Sequence, residues 1–187
     1  VRPVASTAVI HLAGSMGAEV LARHPLRAAV HPLVSLPNAH LGARRLRAGA
    51  WFGITAPDEA SLEAANSVVD ALGGRPVLVA EEARTVYHAA ACAASNHLVT
   101  LMAQVGALGS EAGVALAAFM GLASGTLDNV ADLGPDAALT GPVVRGDWDT
   151  VARHLEAMPD QEATLYRAMV EATARLAGRD PGELSGA

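Results

Sequence analysis

The chain lacks lysine altogether, so its 13 basic residues are all arginine. A Schiff-base lysine, a P-loop lysine and a lysine general acid are therefore excluded within these residues. Any proton transfer falls to His, Asp, Glu, Tyr or Cys side chains.

Cysteine, aromatic residues and positive charge are also scarce. Cys92 is the single cysteine, aromatic residues make up 3% of the chain, and the formal net charge is -6. These values exclude an internal disulfide and leave neither a basic surface nor stacking platforms for nucleic acid. No run of about 20 apolar residues and no charged-then-apolar leader occurs. We therefore predict a cytoplasmic protein that contacts neither nucleic acid nor membrane.

What the chain has is a composition that is 51% hydrophobic and 17% charged, which is enough to bury a sizeable core. Its first residue is Val1 rather than Met, and a strand signal over residues 7–12 follows almost at once. We expect that an upstream part is missing and that the chain is a fragment.

Residues 1–83 are predicted to form the C-terminal part of a Rossmann-like parallel sheet. Short β-branched runs alternate with helical stretches there, which is typical of a doubly wound α/β fold. The predicted strands are 7–12, 27–31, 51–55 and 75–80. Asp58 is predicted to cap a helix that runs to Leu72, whereas 35–48 is predicted to be irregular.

Residues 84–187 are predicted to form an all-α domain. Ala- and Leu-rich segments predict helices over 82–108, 110–132, 148–158 and 161–176, with a loop from 134 to 146. Asp147 and Asp160 are predicted to cap the last two helices. The almost continuous apolar surface from Ala89 to Leu127 predicts burial against a second subunit in a homodimer.

Gly14 and Ser15 follow the first predicted strand and precede a short helix, with a second glycine at Gly17. They are candidates for cofactor contact, since glycine turns between a strand and a helix bind phosphates. A plain turn is the alternative, and it fits two glycines at this spacing better. No Gly-x-Gly-x-x-Gly sequence occurs, so we expect the cofactor to be bound mainly by residues outside this chain.

His31 ends a predicted parallel strand and is followed by Pro32. Open α/β sheets bind ligands at this edge, and proline restricts the backbone that presents the imidazole. His31 is therefore a candidate for substrate binding. The alternative is a histidine that merely ends the strand.

A polar stripe runs along the first long predicted helix. His88, Cys92, Ser95 and Asn96 fall within an arc of about 100°, because each residue turns a helix by about 100°. The stripe needs partners, either core hydrogen bonds or a substrate, since an unpaired buried polar group costs about 1–3 kcal/mol. A zinc site would need a second ligand pair at suitable spacing, which the sequence lacks, so no metal is predicted.

Thr140 and Arg145 lie in the predicted loop that is rich in glycine and proline. They are candidates for binding a substrate carboxylate, because the planar fork of arginine suits that group. The alternative is a turn in which Asp147 caps the next helix and pairs with Arg145.

Several motifs together resemble a family of bacterial oxidoreductases. They are His31-Pro-Leu, Tyr87-His-Ala-Ala with Ser95-Asn96, Leu127-x-Asn129 and Ala138-Leu-Thr-Gly-Pro-x-x-Arg-Gly-Asp147. Members of that family join a Rossmann-like NADP-binding domain to a C-terminal domain of unknown function, which is similar to those of 6-phosphogluconate dehydrogenase, ketopantoate reductase and pyrroline-5-carboxylate reductase. The His-Pro motif is also similar to the strand end of prephenate-type dehydrogenases. Related hydroxyacid dehydrogenases carry a lysine and an asparagine one turn apart on the corresponding helix, where this chain has His88 instead.

The resemblance implies an NADP-dependent, dimeric reductase of a small 2-oxo acid, with ketopantoate as the first candidate. His88 is then the acid/base and Asn96 orients the substrate carbonyl, while His31, Ser95, Thr140 and Arg145 bind the substrate. The rival hypothesis is a non-catalytic dimerisation or ligand-sensing module that keeps the fold without hydride transfer.

Overall fold

A computed structural model of the chain describes residues 2–182. The described residues form two compact units, which divide between Leu98 and Val99. The domain boundary predicted between residues 83 and 84 stays a prediction, and the last five residues of the predicted helical domain, 183–187, lie outside the described residues. No helix in the described part of the chain combines the length and the apolar character needed to cross a membrane.

The first unit contains a four-stranded sheet. Its strands are adjacent in chain order: β1 (Val9–His11), β2 (Arg27–Pro32), β3 (Trp51–Thr55) and β4 (Arg75–Leu78). β1 and β2 are parallel, as are β3 and β4, but β2 and β3 are antiparallel. The predicted α/β class and strand positions are therefore confirmed, whereas the purely parallel arrangement is wrong at the centre of the sheet.

The connection between β2 and β3 explains the antiparallel pair. It contains α1 (Ala39–Leu46), where an irregular segment was predicted, and the Asn38 side chain caps this helix by accepting the Leu41 N–H at 2.9 Å. Of the eight residues of α1, all of them described, only Gly42 is buried. A parallel crossover needs an element that covers the sheet, and α1 contributes only the partly buried Leu46 to the core of the sheet. The chain returns beside β2 instead, and the Leu33 N–H donates to the Trp51 carbonyl at 2.8 Å.

The two faces of the sheet have different neighbours. One face packs against α2 (Glu59–Ala71), and the core between them contains Ala28, Val30, Phe52, Ile54, Ala65 and Val69. Side chains alternate along a strand, so the residues between these core positions point to the opposite face. His31 and Gly53, which are directly paired across β2 and β3, lie on that opposite face.

The helix caps test three predicted N-termini. Asp58 caps α2 by accepting the Ser61 N–H at 2.8 Å, and this hydrogen bond lowers the pKa of the Asp58 carboxyl. Asp147 caps the helix that follows it by accepting the Thr150 N–H at 3.2 Å. Asp160 is the first residue of its helix rather than its cap. The predicted cap was therefore right at two of the three positions.

One helical run connects the sheet to the second unit. It comprises a short 3-10 turn (Glu81–Ala83), α3 (Arg84–Cys92), a π-helical segment (Ala93–His97) and α4 (Leu98–Glu111). The sequence predicted a single α-helix here, and the π-helical segment in its middle was missed. Such segments insert one extra residue into a helix and are frequent at functional sites.

The second unit is helical. After α4 it contains α5 (Leu116–Leu133), α6 (Pro135–Ala138), α7 (Pro142–Arg145), α8 (Trp148–Ala157) and α9 (Asp160–Leu176). Val143, Val151, Val170 and Ala174 form its core. The predicted loop 134–146 therefore holds two short helices, each of which starts with a proline that supplies the helical φ angle. No residue of α5, which is described throughout, is buried.

Candidate functional site

A cavity of about 480 Å³ lies in the first unit at the end of β2. Its walls come from the end of that strand, from α3 and from the π-helical segment. Four predicted site residues line it together: His31, His88, Ser95 and Asn96. The other lining residues are Pro32, Leu33, Val34, Ser35, Ala91, Cys92 and Ala94.

His31 enters the cavity from the sheet. It is half-buried, and its Nδ1 lies 2.9 Å from the Tyr87 hydroxyl. Burial lowers the pKa of His31, and the positive charge of Arg84 and the nearby His88 lower it further. The imidazole of His31 is therefore held in its neutral form at neutral pH.

Gly14 brings the loop after β1 against both histidine rings. A Cβ atom at this position would overlap the His88 ring and would lie 2.8 Å from Nε2 of His31. The two rings are 5.9 Å apart between centroids and inclined by 67°. The absence of a side chain at Gly14 is thus what lets the loop close over the paired imidazoles.

The rest of this loop is occupied by Glu81. The carboxylate of Glu81 accepts the Ala18 N–H at 2.9 Å and fills the space where a side chain on Gly17 would lie. A carboxylate in this position repels phosphate and already uses a backbone donor that phosphate would need. Ser15 is exposed. These contacts favour the plain turn over a phosphate-binding loop.

The polar stripe of α3 continues into the π-helical segment. The Cys92 Sγ lies 3.8 and 3.9 Å from the two ring nitrogens of His88, nearly equidistant, so it is aligned with neither lone pair. The Ser95 hydroxyl lies 2.9 Å from the Ala91 carbonyl oxygen and 2.8 Å from Oδ1 of Asn96, and it donates to one of them at a time. The Asn96 amide is thereby oriented by its neighbour at the cavity wall.

Thr140 and Arg145 lie in the second unit and are exposed. Thr140 stands between α6 and α7, and Arg145 is the last residue of α7. Within residues 2–182 no ion pair joins Arg145 to Asp147. The pKa of Asp147 is lowered mainly by its hydrogen bonds with Thr150, and the charge of Arg145 lowers it further. Their predicted role in carboxylate binding stays a prediction.

Sequence reasoning missed two residues behind the cavity. Arg84 is 2% exposed, and Tyr87 hydrogen-bonds to His31. Tyr87 stood in one of the resembling motifs but received no role, and Arg84 in Glu-Glu-Ala-Arg gave no signal other than its charge. Their importance depends on Gly53, whose missing side chain makes room for the Tyr87 hydroxyl. That space is a property of the sheet register, which the sequence pattern does not contain.

No group of three or more His, Cys, Asp or Glu side chains among the described residues is placed to hold a metal ion. The sheet flanked by helices, with its cavity at a strand end, defines a Rossmann-type α/β fold that continues into helices. Residues 50–173 match the family described as "Domain of unknown function (DUF2520)", and the chain belongs to that family.

Two solved structures are similar to the chain. Protein TM1727 from Thermotoga maritima has a TM-score of 0.76 and 26% identity, over 91% of this chain and 69% of that one. A protein described as "putative NADP oxidoreductase BF3122", from Bacteroides fragilis, has a TM-score of 0.73 and 21% identity, over 89% of this chain and 64% of that one. The chain thus spans about two thirds of either neighbour. No curated protein matches it.

Proposed function

We propose that this chain supplies the substrate side of an NADP-dependent oxidoreductase that acts on a small 2-oxo or 2-hydroxy carboxylic acid, with ketopantoate as the first candidate. The observation that carries the proposal is the meeting of His31, His88, Ser95 and Asn96 around one cavity at a strand end. Open α/β sheets bind ligands at such an edge. The fold shared with the Bacteroides fragilis protein supports the reaction class.

The cavity residues have different roles toward the substrate. Histidine is the side chain best matched to proton transfer near neutral pH, so His88 exchanges the proton of the substrate oxygen. The Asn96 amide, oriented by Ser95, donates a hydrogen bond to the same oxygen. His31 holds the substrate from the sheet side. The predicted role of Thr140 and Arg145 in carboxylate binding is a separate prediction for the second unit.

The cofactor is bound mainly outside the described residues in this proposal. NADPH, when bound, supplies the hydride. Its phosphates do not fit the turn from Gly14 to Gly17, because Glu81 already occupies that turn with a negative charge. The chain's own residues therefore bind the substrate and move its proton, and no step is assigned to the turn.

The test is NADPH oxidation by the protein as produced from its gene, with ketopantoate and a series of other 2-oxo acids. The amide of each acid serves as the matched compound without a carboxylate. We expect turnover of at least one acid, and a KM raised about 10-fold or more for its amide, since a charged hydrogen bond contributes about 1.5–3 kcal/mol. No turnover of any 2-oxo acid would contradict the proposal.

The rival function, a ligand-sensing or dimerisation module, draws its support from the absence of Gly-x-Gly-x-x-Gly in this sequence. Calorimetry with NADPH and with the same acids separates the two. Binding of an acid without binding of NADPH, and without turnover, supports the module. Binding of both ligands with turnover supports the enzyme.

A further inference from the structure

Tyr87 connects His31 to the interior of the first unit. Its hydroxyl lies 2.9 Å from Nδ1 of His31, and the two rings meet edge to face with centroids 5.7 Å apart. The hydroxyl lies over Gly53, where any side chain would collide with it. Because Gly53 is paired directly with His31, the sheet register sets the distance between phenol and imidazole.

Arg84 holds Tyr87 from the other side. Its guanidinium carbon is 5.2 Å from the centre of the Tyr87 ring. Nη1 donates to the Gly53 carbonyl at 3.1 Å and to Oγ1 of Thr55 at 3.3 Å, and Nη2 donates to the Ala13 carbonyl at 3.0 Å. The residue is 2% exposed, and these bonds satisfy Nη1 and Nη2, whereas its buried Nε has no hydrogen-bond partner. Arg84 therefore fixes α3 to β3 and to the loop after β1.

We propose that Tyr87 and Arg84 are positioning residues that keep His31 as a neutral imidazole with its proton on Nε2, so that the ring offers a hydrogen-bond donor to the substrate. A neutral imidazole has one donor nitrogen and one acceptor nitrogen. When the phenol donates to Nδ1, the proton has to be on Nε2. The proposal rests on the proposed function for the identity of the acceptor, which is the substrate oxygen.

The direction of the bond follows from the chemistry of its partners. A neutral imidazole nitrogen is a much stronger base than the oxygen of a protonated phenol, and the phenol O–H, with a pKa of about 10, is a more acidic donor than the N–H of a neutral imidazole. Burial raises the pKa of Tyr87, so the phenol keeps its proton, while the nearby Arg84 makes that proton easier to donate. Tyr87 is therefore the donor and Nδ1 of His31 the acceptor.

The charges around His31 oppose a second proton. The ionisable groups that face it are Arg84, Tyr87 and His88, from α3, and none of them is an acid ionised at neutral pH. A cationic Arg84 and the neighbouring His88 disfavour an imidazolium, in the same direction as burial. A neutral donor at a carbonyl oxygen stabilises the negative charge that develops during reduction without first losing a proton of its own.

The two histidines have different roles in the reaction under this proposal. His88 delivers the proton, and His31 polarises the carbonyl and keeps its own proton. His31 thus acts through a hydrogen bond, and Tyr87 acts only through His31.

The first test is nitrogen NMR of the histidine rings in the whole 15N-labelled protein, which needs neither substrate nor cofactor. We expect Nε2 of His31 to carry the proton and Nδ1 to show the signal of an acceptor nitrogen. In Tyr87→Phe the ring is expected to become a mixture of both tautomers. A proton on Nδ1 in the unaltered protein, or an unchanged tautomer in Tyr87→Phe, would overturn the proposal.

The chain offers a matched control. In the second unit the Tyr166 hydroxyl lies 2.7 Å from Nδ1 of His154, with the rings edge to face at 6.0 Å. Tyr166→Phe removes the same kind of bond and is expected to change the signals of His154 while leaving those of His31 as they were. A change at His31 in this control would show that the spectra report a general loss of packing instead.

The role of Arg84 is tested by Arg84→Lys and Arg84→Met, with the His31 pKa read from the same spectra. Both variants lose the three-way fork, but only Met loses the charge. We expect a higher His31 pKa in Arg84→Met than in Arg84→Lys, and an equal pKa in both would contradict the electrostatic role. If either variant fails to fold, Thr55→Val is used instead, because it removes one acceptor of the Arg84 guanidinium. We expect broadened Tyr87 ring signals in that variant. Unchanged signals would contradict the role of Arg84 in holding Tyr87.

Kinetics separate this proposal from the proposed function. With an active 2-oxo acid, Tyr87→Phe is expected to lower kcat about 10-fold with little change in KM, because the lost donor geometry matters most in the transition state. An unaltered kcat would overturn the positioning role. If the NMR result holds and no 2-oxo acid reacts, the tautomer assignment stands and the proposed function fails.

Discussion

His31 and His88 face one cavity but differ in what surrounds their ring nitrogens. Nδ1 of His31 is engaged by the Tyr87 hydroxyl at 2.9 Å. The nearest partner of the His88 nitrogens given by the structure is the Cys92 sulfur, at 3.8 Å or more, and it is aligned with neither of them. An imidazole fixed by a strong hydrogen bond suits orientation, whereas one with a weak partner suits proton exchange. The two rings are therefore expected to respond differently to substitution.

For His88 we expect His88→Ala to lower kcat by about 10²–10⁴-fold, which is the usual contribution of a general acid or base. The melting temperature should stay close to that of the unaltered protein, since the ring is only half-buried. Activity and melting are measured on one preparation. His97→Ala is the control, because His97 lies in the same helical run, is exposed and does not line the cavity. Full activity with a lowered melting temperature would remove His88 from the mechanism.

The lowered pKa of His31 predicts how stability depends on pH. Between the folded-state pKa and the unfolded value of about 6.5 the unfolded chain binds more protons, so the free energy of unfolding increases with pH. This contribution is complete above pH about 6.5 and is lost as the pH falls through the folded-state pKa. Urea unfolding at several pH values should show a weaker pH dependence in His31→Gln than in the unaltered protein.

His40→Gln is the control for that measurement, because His40 is an exposed residue of α1. It corrects for the loss of a histidine as such. If His31→Gln leaves the slope of stability against pH unchanged, the interior does not disfavour protonation of His31, and the neutral imidazole on which the further inference depends would be wrong.

Among the secondary-structure elements, β3 and α3 approach each other closely at Gly53. Gly53→Ala would place a Cβ atom on the Tyr87 hydroxyl, so we expect a loss of about 1–3 kcal/mol in stability, as is usual for overpacking. Chemical denaturation measures this loss, and the His31 ring signals are expected to change with it. The phenol cannot move away without leaving the imidazole as well.

Gly106→Ala in α4 is the matched control. A Cβ atom there would meet Leu116 at 3.9 Å, an ordinary contact, and alanine suits a helix interior better than glycine by about 0.5–1 kcal/mol. This variant is expected to be neutral or slightly stabilised. A destabilisation of Gly53→Ala no larger than that of Gly106→Ala would show that β3 and α3 are not in close contact at Gly53.

Patterns in the sequence predicted the elements whose signals are local. The strand at Trp51–Thr55 and the helix capped by Asp58 follow from alternation, periodicity and a cap, and the structure has both. The helix of α1 was missed because it has only eight residues, with a glycine in its middle, although Asn38 after Pro37 is a usual helix start. The antiparallel pairing of β2 and β3 was missed because strand direction depends on which face a connection can cover, and no local pattern encodes that.

For the candidate site, too, the sequence predicted the residues whose signals are local. Ordinary helical spacing predicted His88, Ser95 and Asn96 on one side of a helix, and the strand end added His31. In the structure the four residues line one cavity, although Ser95 and Asn96 lie in the π-helical segment. Tyr87 and Arg84 could not be found in this way, since their contacts join α3 to β3 across about 30 residues of chain, in the hydrogen bond from Arg84 to Gly53 for example. Long-range contacts of this kind follow from the register of the sheet.

At the scale of the whole molecule, the exposed apolar side chains of α5 predict a binding partner. Leu116, Met120, Leu127 and Val130 recur at helical spacing and are between 38% and 54% exposed. Contiguous apolar surface of this kind is rare on monomers, and a second copy of the chain is the partner we propose. Sedimentation at micromolar concentration is expected to give a dimer, and Leu127→Asp a monomer.

The control for the dimer prediction is Val20→Glu in the first unit, at a position that is 58% exposed and lies far from α5 in the sequence. It introduces a charge on an apolar surface residue and should leave the dimer intact. A monomer in the unaltered protein at micromolar concentration would rule out self-association through α5.

Because Arg84 is buried, trypsin cleavage after this residue reports the local opening of the protein. Trypsin cleaves only after lysine or arginine, and this chain contains no lysine. The protease has to take the side chain of Arg84 into its own pocket, which is impossible while that side chain is 2% exposed and bound to three oxygen atoms. When closing is fast, cleavage follows the population of the open form. The rate of cutting after residue 84, followed by mass spectrometry, therefore measures how often α3 detaches from the sheet, and a ligand that enters the cavity should slow it.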